Sequence, residues 1–481
     1  MKSKILFFVL GLAFLIRWLR PDLVGFYFDQ GRDALVIWDL LHKGKLFLIG
    51  PTTGVEGIFL GPFYYYLLAP VYWLGKGDPV FPIRFMAILN LGSLWLLYKL
   101  GEKYFSKSVG LSAVILAGFS YHYVLGNRWL ANPTPLSFFA VLTFWFVAKL
   151  IAGQAKWFPV VCLLIGLGVQ LEAASAVFFI PSLLITLWIF RKSTNLKARD
   201  IFLGFLAFGI TLVPQLWFNF RHQNILFSAF FKFLISEKSF IQSPLVIIPE
   251  RLLFYFNAFT RQLSPAGILE RTAMFIFVLV GITKKWSRLI QNPAFKFILI
   301  WLFTPMVLLL LYTGNNGYVW DYYFTGVYPL FFLLVAAVIG KRLIGIIFIL
   351  VFLTANLFPL RDYFMQEKES RRVNLGSSLR VVDWIYEDSK DLPFNVDAYV
   401  PPMIPYTYDY LFKWRGETKY KTAPTETRIK NLYTLYEVDP GHPQLFKKWQ
   451  DRQNGIGKIV FEKSFGAIVV ERRERIDLNE K

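Results

Sequence analysis

The chain is poor in the residues that build most soluble active sites. A single cysteine, Cys162, serves 481 residues, so no intramolecular disulfide can form, and its place inside an apolar run reads as a small hydrophobe. The four histidines, His42, His122, His222 and His442, lack the paired spacing of a zinc site. Neither a Walker A sequence nor a strand-borne glycine fingerprint is present, which argues against nucleotide hydrolysis as it does against zinc catalysis. Acidic residues are scarce, 32 against 52 Lys and Arg, for a net charge of +20. The basic residues cluster beside apolar runs, as in loops that face anionic headgroups, so nucleic acid is not the expected partner. Lys2 and Lys4 precede an apolar stretch from Ile5 to Ile16, but Arg17-Trp18-Leu19-Arg20 offers no small-residue cleavage site; an uncleaved first span is expected. There is no internal repeat and no low-complexity linker.

Apolar surface is abundant instead. Hydrophobic residues make up 55% of the chain and aromatics 19%, with a mean hydropathy of +0.45, which implies a polytopic α-helical membrane protein. A hydrocarbon core about 30 Å thick asks for roughly 20 apolar residues per helix. Candidate segments lie near 4–20, 83–100, 109–126, 134–151, 157–172, 174–190, 201–219, 269–283, 295–312, 323–340 and 343–359, about eleven spans in all. With the N-terminus inside, Lys103 and Lys107, Lys156, Arg191 to Arg199, Lys284 to Arg288 and Lys341-Arg342 all fall in inner loops. This parity requires that Phe59 to Leu74 not cross. Its Gly61-Pro62 start, internal Pro70 and tyrosine run predict a shallow or re-entrant helix.

The outer face then receives the loop 21–82, Asn127 to Asn132, Phe220 to Gly267 and Thr313 to Tyr322. Composition changes after Pro359, which divides the chain into a transmembrane domain, 1–360, and a soluble extracytoplasmic α/β domain, 361–481. In the latter, 395–400 and 432–438 read as strands, 404–414 and 443–453 as helices, and 458–471 as a hairpin.

Charged groups collected at one membrane face mark either a site or a solvated loop. Phe28-Asp29-Gln30-Gly31-Arg32-Asp33 opens the first outer loop, and a helix from Asp29 to Leu41 would put Asp29 and Asp33 on one face as base and cation ligand. Arg32 lies between them. Glu56, flanked by Gly54 and Gly57, is a further candidate carboxylate. Arg84 and Arg128 are candidates to hold a phosphate, with snorkelling to headgroups as the plain alternative. Glu172 interrupts an almost wholly apolar stretch, and Asp321-Tyr322 closes the last outer loop, where a sugar would find a carboxylate and a ring.

The ordered pieces resemble the GT-C superfamily of membrane glycosyltransferases, in its protein-O-mannosyltransferase and aminoarabinose-transferase branch. The resemblance spans roughly residues 1–340 and rests on Asp29-Gln30 after the first span, Gly61-Pro62-Phe63-Tyr64-Tyr65-Tyr66-Leu67, Pro82-Ile83-Arg84, Gly101 to Phe105 before Val109-Gly110-Leu111, and Tyr322-Tyr323 to Tyr328-Pro329. It implies an inverting transferase that takes a sugar from a polyprenyl-phosphate donor to an acceptor at the outer face of the plasma membrane, with Asp29 as base. Gln30 at the second acidic position of the family, and Asn132 where its second outer loop is usually acidic, speak against a divalent cation, the one cofactor the pattern would allow. Leu60 stands where relatives often carry His or Lys, and Glu172 near a position often basic. The phosphate contacts must then come from Arg84, Arg128, Arg251 or Arg261. Membrane lipids and an acceptor of undetermined chemistry complete the expected partners. Rival readings are a transporter or flippase of lipid-linked glycans and a GT-C scaffold without catalysis.

Overall fold

The computed structural model describes residues 2–233, 243–310, 312, 317–340, 343–366, 372–400 and 404–476. Lys341-Arg342 and positions 313–316, placed above in an inner and an outer loop, lie outside them. The N-terminal helices are α1 (Lys2–Trp18), α2 (Phe28–Lys43), α3 (Phe63–Leu74), α4 (Val80–Tyr104), α5 (Lys107–Phe119), α6 (Tyr121–Arg128) and α7 (Leu136–Ile151). There follow α8 (Phe158–Leu171), α9 (Ala173–Ala176), α10 (Phe179–Ile189), α11 (Arg191–Thr194), α12 (Ala198–Arg221), α13 (Ile225–Phe231) and α14 (Pro244–Thr260). The last bundle helices are α15 (Ile268–Leu289), α16 (Pro293–Leu309), α17 (Tyr328–Ile339) and α18 (Leu343–Phe364).

A helix covers the body of each of the eleven apolar segments. By length and composition α4, α12 and α18 are long and apolar enough to cross a membrane, and α5 with α6, bent by 66°, adds a fourth if the pair is one span. The others are shorter or carry charges at their ends. Helix α3 has 12 residues, roughly 18 Å, and carries Pro70 within it.

Close packing in the bundle uses small residues. A Cβ at Gly101 of α4 would stand 2.5 Å from Cα of Gly110 of α5, so these backbones touch where side chains would hold them apart. Arg17 is buried because it donates to the carbonyls of Ala13, Ala117 and Gly118, which ties the end of α1 to the end of α5.

The C-terminal region contains β1 (Asn395–Tyr399), β2 (Asn431–Glu437), β3 (Gly457–Phe465) and β4 (Ile468–Arg475) with α19 (Leu375–Ser389), α20 (Tyr406–Arg415) and α21 (Pro443–Ile456). The sheet order is β1-β2-β4-β3, with β1 parallel to β2 and the other pairs antiparallel, so the expected α/β unit forms with its strands, helices and hairpin near their predicted bounds. Its core is not its own. One hydrophobic cluster joins Ile37, Trp38, Tyr64, Tyr65 and Tyr72 of α2 and α3 to Val381, Ile385, Tyr410, Leu411, Leu435 and Val470. Helix α20 lies directly on α2, and the hydroxyl of Thr407 and the indole of Trp414 donate to the carbonyls of Phe26 (3.2 Å) and Lys76 (3.0 Å). The tail therefore stands on the same side of the bundle as Asp29.

Candidate active site

Helix α2 is started by Gln30, whose side chain accepts from the Tyr27 backbone N–H at 2.9 Å, and ended by Gly44 at φ 63°. Between these caps the four-residue spacing places Asp29 and Asp33 on one face, with Arg32 joining them. Its guanidinium reaches Asp29 at 2.9 Å and Asp33 at 2.8 Å, and donates to the Thr52 hydroxyl at 3.0 Å. The two carboxylates differ in burial: the Asp29 side chain is 57% exposed and that of Asp33 6%. Asp33 also accepts from the Tyr65 hydroxyl at 3.2 Å. Asp33 is thus the anchor and Asp29 the accessible carboxylate.

Burial raises the Asp33 carboxyl to about 6, against the pull of Arg32 and the Tyr65 hydrogen bond. A group whose folded pKa lies above its unfolded value contributes stability that is complete below the unfolded value, near 3.8, and is lost as pH rises through about 6. Asp33→Asn has no such titration. Thermal unfolding of the two proteins at pH 4 and pH 7 should show their difference moving in favour of the variant at the higher pH, by about 2 kcal/mol. Movement the other way would mean that Arg32 outweighs burial.

Both ends of the Asp29–Asp33 face open on a cavity of about 1060 Å³. Of the residues singled out from sequence, Asp29, Arg32, Asp33, Asn132, Glu172, Asp321 and Tyr322 line it. They arrive from four regions of the chain. The rim segment Thr52 to Ile58 is held by Gly50 N–H donating to the Leu60 carbonyl at 2.7 Å, and by Gly61, where a Cβ would lie 2.4 Å from Cγ of Gln170. Gln170 in turn accepts from the Phe63 N–H at 3.1 Å.

Glu172 occupies the break between α8 and α9 and is buried. Asn132 donates to it at 3.1 Å while also donating to the Leu171 carbonyl at 2.7 Å, and the Ala174 N–H donates to its other oxygen at 3.1 Å. Asn132 therefore orients a carboxylate in place of being one. On the far wall Trp320 stacks with Tyr322, and Tyr318, outside the lining, stacks with Trp320 in turn, while Tyr322 lies in the field of both Glu172 and Asp29. Gln262, buried, has its Oε1 without a hydrogen-bond partner among the described residues.

Arg84, Arg128 and Glu56 stand outside this lining. Arg128 is committed elsewhere: it donates to the carbonyls of Ile16, Arg17, Leu19 and Arg20 at 2.7 to 3.1 Å, closing the C-terminus of α1. A phosphate would have to displace four carbonyls. Arg84 lies over the Trp18 ring at 5.0 Å, and Glu56 is exposed while its neighbours Val55 and Ile58 line the cavity. Arg251 is likewise spent on the Tyr312 carbonyl at 3.2 Å and on that of Gly317. Arg261 is exposed and acts on the charge of His122, a lining residue. His122, Gln262, Trp129 and Trp320 were not singled out from sequence. A lone His or Gln in an apolar run carries no spacing signal, and only the packing of α6, α14 and the 317–328 segment brings them to one wall. Among the described residues no group of three or more His, Cys, Asp or Glu is placed to hold a metal ion.

Comparison with known proteins follows the same lines. Residues 60–218 match the family model described as dolichyl-phosphate-mannose-protein mannosyltransferase. The structure is similar to ArnT from Cupriavidus metallidurans over 98% of both chains at 10% identity, with a TM-score of 0.63 for the apo state and 0.61 for the state bound to undecaprenyl phosphate. The chain has the GT-C glycosyltransferase fold. The oligosaccharyltransferase of Archaeoglobus fulgidus, in its complex with Zn and sulfate, is similar at a TM-score of 0.51 and 12% identity, over 99% of this chain and 73% of that one. No curated protein matches the chain. The segment matched by the family model runs from the rim at Leu60 to α12 and so takes in the GT-C motif pieces at Gly61-Pro62 and Pro82-Ile83-Arg84, with the Asn132–Glu172 pair.

Proposed function

We propose that the protein moves a sugar from a polyprenyl-phosphate donor to an acceptor hydroxyl or amine at the outer face of the cytoplasmic membrane, with inversion and with Asp29 as base. The observation that carries this reading is the division of labour on α2: an accessible carboxylate at a large cavity, held by an arginine that a buried second carboxylate holds in turn. Asp29 takes the acceptor proton as the acceptor attacks the anomeric carbon, the bond from that carbon to the phosphate oxygen breaks, and polyprenyl phosphate leaves. The cations left for the phosphate are Arg261, beside His122 of the lining, and Arg84, since Arg128 and Arg251 are spent on carbonyls. Gln262 Oε1 offers an acceptor to a sugar hydroxyl, and the Tyr318–Trp320–Tyr322 stack a surface for a ring or a prenyl chain. The cation site is absent from this mechanism because Gln30 and Asn132 replace carboxylates.

The membrane arrangement belongs to the same proposal: about eleven spans, a cytoplasmic N-terminus, and the region from 361 onward outside, where it would help receive the acceptor. The bound undecaprenyl phosphate of ArnT supports the carrier class. Membranes containing the full chain, given a radiolabelled polyprenyl-phosphate sugar, should yield labelled acceptor and free polyprenyl phosphate. Labelled donor moved across the bilayer with its sugar bond intact would establish the transporter reading instead.

A further inference from the structure

Helices α7 and α16 each reach the active-site cavity at one end, through Ser137 and Leu309, and a second cleft at the other, through Ile151 and Pro293. The two ends are 14 residues apart on α7 and 16 on α16, roughly 21 to 24 Å. This second cleft, about 190 Å³, opens where the C-terminal ends of α4 and α7 meet the start of α16, with Leu100, Phe105, Ala148, Ile151, Phe297 and Leu333 making its apolar wall. Ala152 and Pro293 at its mouth are exposed.

Polar groups are few and specific. The Asn292 amide is satisfied, donating to the Tyr104 carbonyl at 3.0 Å and accepting from the Ala294 N–H at 2.9 Å. The Tyr104 hydroxyl is buried and makes no hydrogen bond with the described residues. Two ammonium groups share the Trp145 ring next to the cleft lining: Lys103 lies 5.3 Å from the Tyr104 ring centroid and 5.4 Å from that of Trp145, and Lys149 lies 5.6 Å from the same Trp145 ring and 4.4 Å from Trp157. Neither lysine has an ion-pair partner among the described residues, while the neighbouring Glu102 is taken up by Lys99 and Lys107.

We propose that this cleft binds one anionic phospholipid, with an acyl chain against the apolar wall and the phosphate between Lys103 and Lys149. Each half of the lipid answers one half of the site. A free phosphate would leave the apolar cleft without an occupant, and a zwitterionic lipid would leave two ammonium groups without net neutralisation. The headgroup oxygens also supply the acceptor that the Tyr104 hydroxyl lacks. The site lies at the far end of the bundle from Asp29, so it is separable from transfer.

The test uses the full chain in neutral detergent, titrated with phosphatidylglycerol and separately with phosphatidylcholine, and read by native mass spectrometry. One phosphatidylglycerol should be retained, roughly 10- to 30-fold more tightly than phosphatidylcholine. Lys103→Gln with Lys149→Gln should abolish that preference, and Ala148→Phe, which fills the cleft, should abolish retention of both lipids. Lys447→Gln with Lys448→Gln on α21, an equal change in net charge, should leave it intact. Equal retention of the two lipids, an equal effect of the two lysine pairs, or full displacement of phosphatidylglycerol by millimolar inorganic phosphate would each overturn the proposal. The double lysine variants leave the apolar wall of the cleft intact and keep the test decisive should Ala148→Phe fail to fold.

Discussion

Replacing Asp29 by Asn is expected to lower sugar transfer by roughly 10²- to 10⁴-fold, about 3 to 5 kcal/mol in the barrier, with little change in the amount of folded protein. The asymmetry follows from where the carboxylate sits. Asp29 is the exposed member of the Asp29–Arg32–Asp33 set, and an exposed ion pair contributes at most about 1 kcal/mol to stability. Arg32 keeps Asp33 and Thr52 as partners after the change, so α2 has no reason to unfold. What Asn cannot do is accept the acceptor's proton. Initial rates with labelled donor, at acceptor concentrations above and below KM, would place the loss in kcat. A variant that transfers at the wild-type rate would remove Asp29 as base, and attention would pass to Glu172 and Asp321, lining carboxylates without a cationic partner in the described contacts.

Gly31→Val should have a comparable effect by a different route. Gly31 sits in α2 two residues from Asp29, and helix propensity alone would favour almost any residue over glycine there, by roughly 0.3 to 1 kcal/mol. The structure forbids it. A Cβ at Gly31 would stand 2.4 Å from the Thr407 nitrogen and 2.4 Å from the Tyr406 carbonyl carbon, and these are backbone atoms of α20 that cannot swing aside. Nor can α20 retreat, because Thr407, Tyr410 and Trp414 fasten it to the carbonyls of Phe26, Gly77 and Lys76. The strain therefore falls on α2, and overpacking of this kind typically costs about 1–3 kcal/mol. A displacement of α2 of order 1 Å is enough to lose roughly 10²-fold in rate. Measured together, a lower unfolding temperature and a reduced kcat with unchanged donor affinity are the expected pair of results; full activity in Gly31→Val would show that α20 does not position α2.

The tail thus belongs to the active-site scaffold in a mechanical sense. Sequence composition divides the chain after Pro359, because charge and hydropathy change there, but composition does not report that the aromatic faces of Tyr408, Tyr410 and Trp414 are buried. The Tyr410 ring meets those of Phe26, Trp38 and Tyr72.

The candidate site shows the same division. The helix at Asp29, its shared acidic face, and the candidacy of Glu172, Asp321 and Tyr322 follow from signals a single chain carries: four-residue spacing, a carboxylate in an apolar stretch, aromatic residues at the ends of spans; that they line one cavity with Asn132 is a fact of packing. Arg128 reads from sequence as a free loop cation and is instead the cap of α1, since a side chain's partners 112 residues away leave no local trace. Asp33 and Asp29 are indistinguishable by spacing and separate only through burial.

What the amino-acid sequence settled by itself is the class of molecule, a helical membrane protein with an α/β tail, because hydropathy and side-chain period are local properties summed along the chain. Tertiary packing alone decided which carboxylate meets solvent, which arginines are spent on helix ends, and that α20 bears on Gly31. Each of these depends on atoms brought within a few ångströms by segments hundreds of residues apart, and burial and hydrogen-bond partnership exist only once that approach has been made.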